Sequence, residues 1–161
     1  MKSNSPPPGP ALDLGCGAGR DAVYMALRGF DVTAVDVLPD AVARAGDLAA
    51  RCRVSVQPCI LDLRRLPLPF PAGHYALVTV FRYLHRPLLP LLPPMLRPGG
   101  LLLVETFHER CRDTAAGPHS PERLLRSGEL TAAFAPMNIL IAEDGVERRG
   151  RFFSRIVAAA R

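Results

Sequence analysis

The chain has 161 residues and a mass of 17.4 kDa, enough for one domain with a substantial core but short of two full domains. Hydrophobic residues are 48% and charged residues 22%, which argues against disorder, and the longest apolar stretches, around residues 75–81 and 101–104, are strand-sized and argue against a membrane-spanning helix. The formal charge of +5 is carried almost wholly by arginine, with Lys2 the only lysine, and the arginines are scattered among fifteen acids. Scatter of this kind favours an ordinary solvated surface or an anion-attracting site over a specific nucleic-acid face. Cys16, Cys52, Cys59 and Cys111 show neither C-x-x-C spacing nor a zinc ladder with the histidines, so no metal site is expected. No signal peptide is read from the N-terminus, and a reducing, cytoplasmic location is the expectation.

Residues 1–10 are proline-rich and cannot form a regular helix, so they read as a flexible or extended arm ahead of a domain spanning 11–161. Ala11 to Gly15 is a short strand stopped by glycine, and Ala18 to Leu27 has helical composition. Phe30 to Val35 is the second strand, ending at Asp36, and Pro39 opens a helix that continues through Asp40 to Ala50. Val54 to Cys59 is the third strand, followed by a proline-bearing loop over residues 61–71. Tyr75 to Phe81 is nearly continuous in apolar residues, as expected of a central strand buried on both faces. Leu88 to Leu96 is expected to be an irregular crossover helix despite Pro90, Pro93 and Pro94, and Arg97 to Gly100 a turn before the fifth strand, Leu101 to Phe107. One or two short helices between Glu122 and Phe134 precede two strands, Met137 to Glu143 and Arg151 to Ala159, which flank Asp144-Gly145 and must be antiparallel. The expected fold is therefore α/β: a doubly wound, mostly parallel seven-stranded sheet with a C-terminal antiparallel hairpin.

The most informative segment is Leu12-Asp13-Leu14-Gly15-Cys16-Gly17-Ala18-Gly19-Arg20. Glycines between a strand and a helix let the main chain approach a ligand, and the helix points free N–H groups toward it. A dinucleotide fingerprint needs G-x-G-x-x-G, but Arg20 stands where its third glycine belongs, and Asp13 would face a pyrophosphate with like charge. A ligand with a cationic end suits these residues better. Asp36, twenty-one residues after Gly15, is placed to accept both hydroxyls of a ribose, and Asp62 after the third strand is a weaker candidate for an adenine edge.

On these motifs the sequence resembles the class I S-adenosylmethionine-dependent methyltransferases, and within them the small tellurite-resistance type. Leu12 to Gly19 resembles the family's glycine motif, Val32 to Asp36 its second motif, and Tyr75 to Phe81 with Arg97 to Leu101 the later ones. The resemblance implies a Rossmann-like methyltransferase fold, S-adenosyl-L-methionine as cofactor, and cofactor contacts at Asp13, Gly15, Cys16, Gly17, Gly19, Asp36, Val37, Asp62, Leu63 and Phe81. It also implies a small-molecule acceptor, with a chalcogen oxyanion such as tellurite or selenite among the candidates. Helices usually precede the first strand in this family and cover the site, whereas ten residues precede Ala11 here. The expected cover is this arm or another chain, a homodimer partner included.

Ligands of open parallel sheets bind beyond the carboxyl ends of the strands. After the fourth strand stands Phe81-Arg82-Tyr83-Leu84-His85-Arg86, without the Asn/Asp-Pro-Pro-aromatic signature of amino-methylating enzymes acting on nucleic acid or protein. Arg20, Arg82 and Arg86 are the candidates to hold acceptor oxygens, with Tyr83 and His85 as further substrate candidates. No base, nucleophile or triad is legible among the four histidines, so no catalytic residue is assigned. A cofactor-binding domain without activity and an NAD-dependent oxidoreductase are the alternative readings.

Overall fold

The structure is a computed structural model that describes residues 8–161. Most of the expected N-terminal arm, residues 1–7, lies outside the described residues. Its last residues belong to the sheet: Gly9 accepts a hydrogen bond from the Asp31 N–H at 3.0 Å, and Pro10 opens the first strand.

Seven strands form one sheet among the described residues: β1 (Pro10–Leu14), β2 (Asp31–Asp36), β3 (Val56–Ile60), β4 (Tyr75–Phe81), β5 (Leu96–Phe107), β6 (Asn138–Arg148) and β7 (Arg151–Ala159). Their order is β3-β2-β1-β4-β5-β7-β6, with the first five parallel and β7 antiparallel to both β5 and β6. The expected doubly wound sheet with its terminal hairpin is therefore the observed one. Leu14 pairs with both Val35 and Val80, so Gly15, Asp36 and Phe81 emerge together on one edge, where strand order reverses between β1 and β4.

Alternation along β1 divides the core. Leu12 and Leu14 pack on one face with Val78, Val80, Leu88, Leu92, Leu125 and Phe134, while Ala11 joins Cys16, Ala22, Met25 and Ala45 on the other. That second face is covered by α1 (Arg20–Leu27) and α2 (Pro39–Arg51), and Ala41, Val42, Ala45 and Ala49 form the buried stripe of α2. Pro39 sits in the first turn of α2, where its missing N–H costs no helical bond.

The helix expected over residues 88–96 is instead a pair of 3-10 segments, Arg86–Leu91 and Pro93–Met95. Pro90, Pro93 and Pro94 remove the donors that an α-helical ladder needs, and the leucines bury themselves through i to i+3 turns. Arg97 to Gly100 is not a separate turn but the irregular start of β5, where register shifts between Tyr75 and Leu77. A short α3 (Glu129–Ala133) follows a 3-10 turn at Pro121–Arg123.

The hairpin also turns elsewhere than expected. Arg148 pairs with Arg151, leaving Arg149 (φ 51) and Gly150 (φ 76) as a two-residue loop whose positive angles match the strand twist. Asp144-Gly145 is a bulge within β6, between the pairs at Glu143 and Val146.

Candidate functional site

The glycine turn is pinned to the sheet by Val35, whose carbonyl accepts from the N–H groups of both Gly15 and Cys16 at 2.8 Å. The three glycines then do different things. A Cβ on Gly15 would press on the Tyr83 side chain at 3.2 Å, so the missing side chain makes the place for that ring. A Cβ on Gly17 would meet nothing within 4 Å, leaving a bare main-chain surface beside the N-terminus of α1, which has no side-chain cap. Gly19 faces inward: its Cβ would lie 2.4 Å from that of Ala45, so the missing side chain lets the turn pack against α2.

Asp36 closes the turn, its Oδ2 accepting from the Gly17 N–H at 2.9 Å and its Oδ1 from the Leu38 N–H at 3.0 Å. Each oxygen keeps a lone pair for a ligand hydroxyl. Asp36, Val37, Leu61, Asp62, Leu63, Arg64, Gly15 and Tyr83 line a cavity of about 270 Å³. Asp62 belongs to this lining but is already gripped by Arg64, whose Nε and Nη2 donate to its two oxygens at 2.9 and 3.0 Å. That fork, with the Arg64 N–H, holds the half-buried carboxyl down at about 2.

Asp13 stands beneath the turn rather than in the cavity wall. It is 2% exposed, its Oδ1 accepts from the Thr79 hydroxyl at 2.9 Å, and its Oδ2 has no partner. Burial pushes this carboxyl up to about 7, against the opposing effect of the Thr79 bond. Burial, followed by the Asp13 charge, likewise pushes the Cys16 thiol to about 12, which keeps it protonated and makes it a small packing residue. Phe81 ends β4 opposite Glu105 and lines neither this cavity nor its neighbour.

A second cavity of about 570 Å³ lies against the same tyrosine, lined by Arg82, Tyr83, Leu84, Phe107, Gly117, Pro118, Arg123 and Arg151. Tyr83 thus walls both spaces, and burial raises its hydroxyl pKa. Arg82 is in the left-handed region (φ 56), its N–H donating to the Glu105 carbonyl at 2.8 Å.

Two expected substrate arginines are elsewhere. Arg20 borders a separate groove with Arg44, Asp47 and Arg51 on the helical face, because α1 carries it away from the strand ends. Arg86 is a strut: Nε and Nη2 donate to Glu129 at 2.6 and 2.9 Å, and Nη2 also reaches the Leu124 carbonyl. His85 precedes the first 3-10 segment and lines neither cavity.

Arg123 and Arg151 were missed by sequence reasoning because they come from the excursion after β5 and from the hairpin, remote in sequence from Arg82. That excursion is fastened by buried His108. Its Nδ1 accepts from the Arg110 N–H at 3.2 Å, which places the ring proton on Nε2, facing the Ser127 hydroxyl at 3.1 Å. In this tautomer His108 cannot take a proton from Ser127, so the pair is a fastening and not a nucleophile with its base. Among the described residues no helix is long and apolar enough to cross a membrane.

Residues 11–100 match a family model described as a methyltransferase domain. The chain belongs to the methyltransferase domain family. The chain is 33% identical over 141 residues to hemagglutinin 1 of Eikenella corrodens, covering 84% of this chain and 46% of that protein. It is 38% identical over 106 residues to a ubiquinone biosynthesis O-methyltransferase of Marinobacter nauticus, covering 61% and 44%. To the probable S-adenosyl-L-methionine-dependent methyltransferase TehB of Haemophilus influenzae it is related at 28% identity over 79 residues, 49% of this chain and 28% of that protein. The crystal structure of TehB superposes with a TM-score of 0.76 at 19% identity, covering 96% of this chain and 58% of that one, which shows the shared fold. This methyltransferase domain spans less than half the length of the curated relatives it matches.

Proposed function

We propose that the chain transfers a methyl group from S-adenosylmethionine to a small acceptor, the cofactor lying along the glycine turn and the cavity beside Asp36, and the acceptor in the arginine-lined cavity. The observation that carries this reading is Tyr83, a residue common to the lining of two cavities of different character.

The residues fit the cofactor. Asp36 has lone pairs for ribose hydroxyls, and Val37 and Leu63 offer apolar contact to a base. The bare surface at Gly17 and the uncapped N-terminus of α1 suit a carboxylate. Asp13, sealed beneath the turn, would act on a cationic end only through its charge and not by contact, and the nearness of such a charge favours its ionised form. When bound, the cofactor supplies an electrophilic methyl on a sulfonium, which an acceptor lone pair takes by direct displacement while the carbon–sulfur electron pair returns to sulfur. Alignment supplies much of the rate in such a reaction, and here it falls to Tyr83 and the arginines. Arg82, Arg123 and Arg151 would hold an anionic group of the acceptor, and only an acceptor atom with a lone pair and no proton to lose would be methylated without a base.

The resemblance to the tellurite-resistance type and the likeness to TehB make a chalcogen oxyanion, tellurite or selenite, one acceptor to be tried. Calorimetry with S-adenosylmethionine, S-adenosylhomocysteine and NAD tests the cofactor; binding of NAD with neither sulfur compound bound would sink the reading. An acceptor panel followed by S-adenosylhomocysteine release tests the transfer itself, and cofactor binding without turnover of any acceptor would leave a cofactor-binding domain without activity.

A further inference from the structure

We infer that the cavity walled by Arg82, Arg123 and Arg151 takes an organic anion, a carboxylate or phosphate head on an apolar body. This rests on the reading that the neighbouring cavity holds the cofactor, and it names the class of acceptor.

Charge makes the first case. No acid lines the cavity, and none of its three arginines has a carboxylate within 4 Å among the described residues. Arg64, Arg86, Arg148 and Arg155 near the same sheet edge all do. Three arginines lining one space with no acid among the lining residues favour an anion there, and a guanidinium offers a planar pair of donors to oxygen. Arg82 is additionally held in a backbone conformation that side chains rarely adopt, a form of strain that concentrates at ligand sites.

Size and lining make the second case. A four-atom oxyanion needs the room of only a few waters, roughly 100 Å³, whereas this cavity has about 570 Å³. That falls in the range of sites that enclose whole organic ligands. Leu84, Phe107, Pro118 and the Tyr83 ring supply an apolar wall that an inorganic ion leaves wet. Phe107 is steadied by Phe153, the ring centres 5.0 Å apart. A body resting on Phe107 with its anionic head among the arginines would reach toward Tyr83, and so toward the cofactor cavity.

The test is calorimetry on the whole chain saturated with S-adenosylhomocysteine, using 4-hydroxybenzoate, phenyl phosphate, the neutral benzyl alcohol and selenite as probes. The expected result is that one of the two organic anions binds about tenfold or more tightly than benzyl alcohol and selenite, the better of the two identifying the head group. Arg123→Met with Arg151→Met, both on exposed side chains, should abolish that preference while leaving S-adenosylhomocysteine affinity within about twofold and the melting temperature unchanged. Phe107→Leu should weaken the organic anion but not selenite. Binding of S-adenosylhomocysteine with neither organic anion preferred over benzyl alcohol would overturn the inference, as would tightest binding of selenite. Failure to bind S-adenosylhomocysteine would instead bring down the cofactor reading, and this inference with it.

Discussion

The Thr79 hydroxyl donates to Asp13 across the β1–β4 pair at 2.9 Å and satisfies only one of its two carboxylate oxygens. The other oxygen is sealed under the glycine turn. With its pKa raised to about 7 from 3.8, the Asp13 carboxyl binds its proton more tightly in the folded chain than in the unfolded one. Its contribution to stability is therefore complete below about pH 4 and falls as pH rises toward 7, by up to about 1.4 kcal/mol per unit. Urea titrations of the wild type and Asp13→Asn between pH 4 and 8 should show their stability difference changing over that window and level above it. A difference independent of pH would mean that Asp13 titrates normally.

Asp36→Ala should weaken S-adenosylhomocysteine binding by about 1–3 kcal/mol, since it removes charged acceptors and also frees the Gly17 and Leu38 N–H groups. The chain should still fold, because Asp36 is only partly buried. Calorimetry and a melting curve separate the two effects, and unchanged affinity would reduce Asp36 to fastening the turn.

Gly17→Ala and Gly19→Ala should differ in stability although both positions are left-handed. The first meets open space and carries only the conformational cost, about 1–2 kcal/mol. The second adds a clash with the Ala45 backbone at 2.7 Å, so α2 must move and the loss should exceed that figure. Equal unfolding midpoints for the two variants would contradict the packing assigned to Gly19.

Arg86→Met should act on stability, costing about 1–3 kcal/mol, between the ranges for exposed and buried pairs, because the Glu129 carboxylate loses its partner. Arg82→Met should instead raise the KM for the acceptor with little change in unfolding midpoint, and Arg20→Met should change neither. Steady-state kinetics beside urea unfolding distinguishes the three, and a raised KM for Arg20→Met would return that residue to the acceptor site.

The βα opening, Asp36 at the end of its strand and the buried β4 were all legible because each depends on local chemistry: glycine angles, an acid after a β-branched run, uninterrupted apolar residues. Of the arginines lining the second cavity, only Arg82 was legible. Arg82 follows a recognisable strand, whereas Arg123 and Arg151 reach the cavity only after the chain has folded back twice. Asp144-Gly145 misled for a related reason: as a dipeptide it favours a turn, yet His108 packs 3.3 Å from where a Gly145 Cβ would stand, and tertiary packing uses the glycine for a bulge. Thr79, the one polar residue inside the apolar run of β4, is the sequence signal for the buried Asp13, its hydrogen-bond partner.

Tyr83 lines both cavities, and with S-adenosylhomocysteine in one and the acceptor in the other, as proposed, the two affinities form a thermodynamic cycle in which this residue is placed to carry the coupling. Whatever factor S-adenosylhomocysteine contributes to acceptor binding, the acceptor must return to S-adenosylhomocysteine. Shortening this one side chain therefore alters a coupling, and Tyr83→Ala is expected to bring that factor toward one from both directions at once.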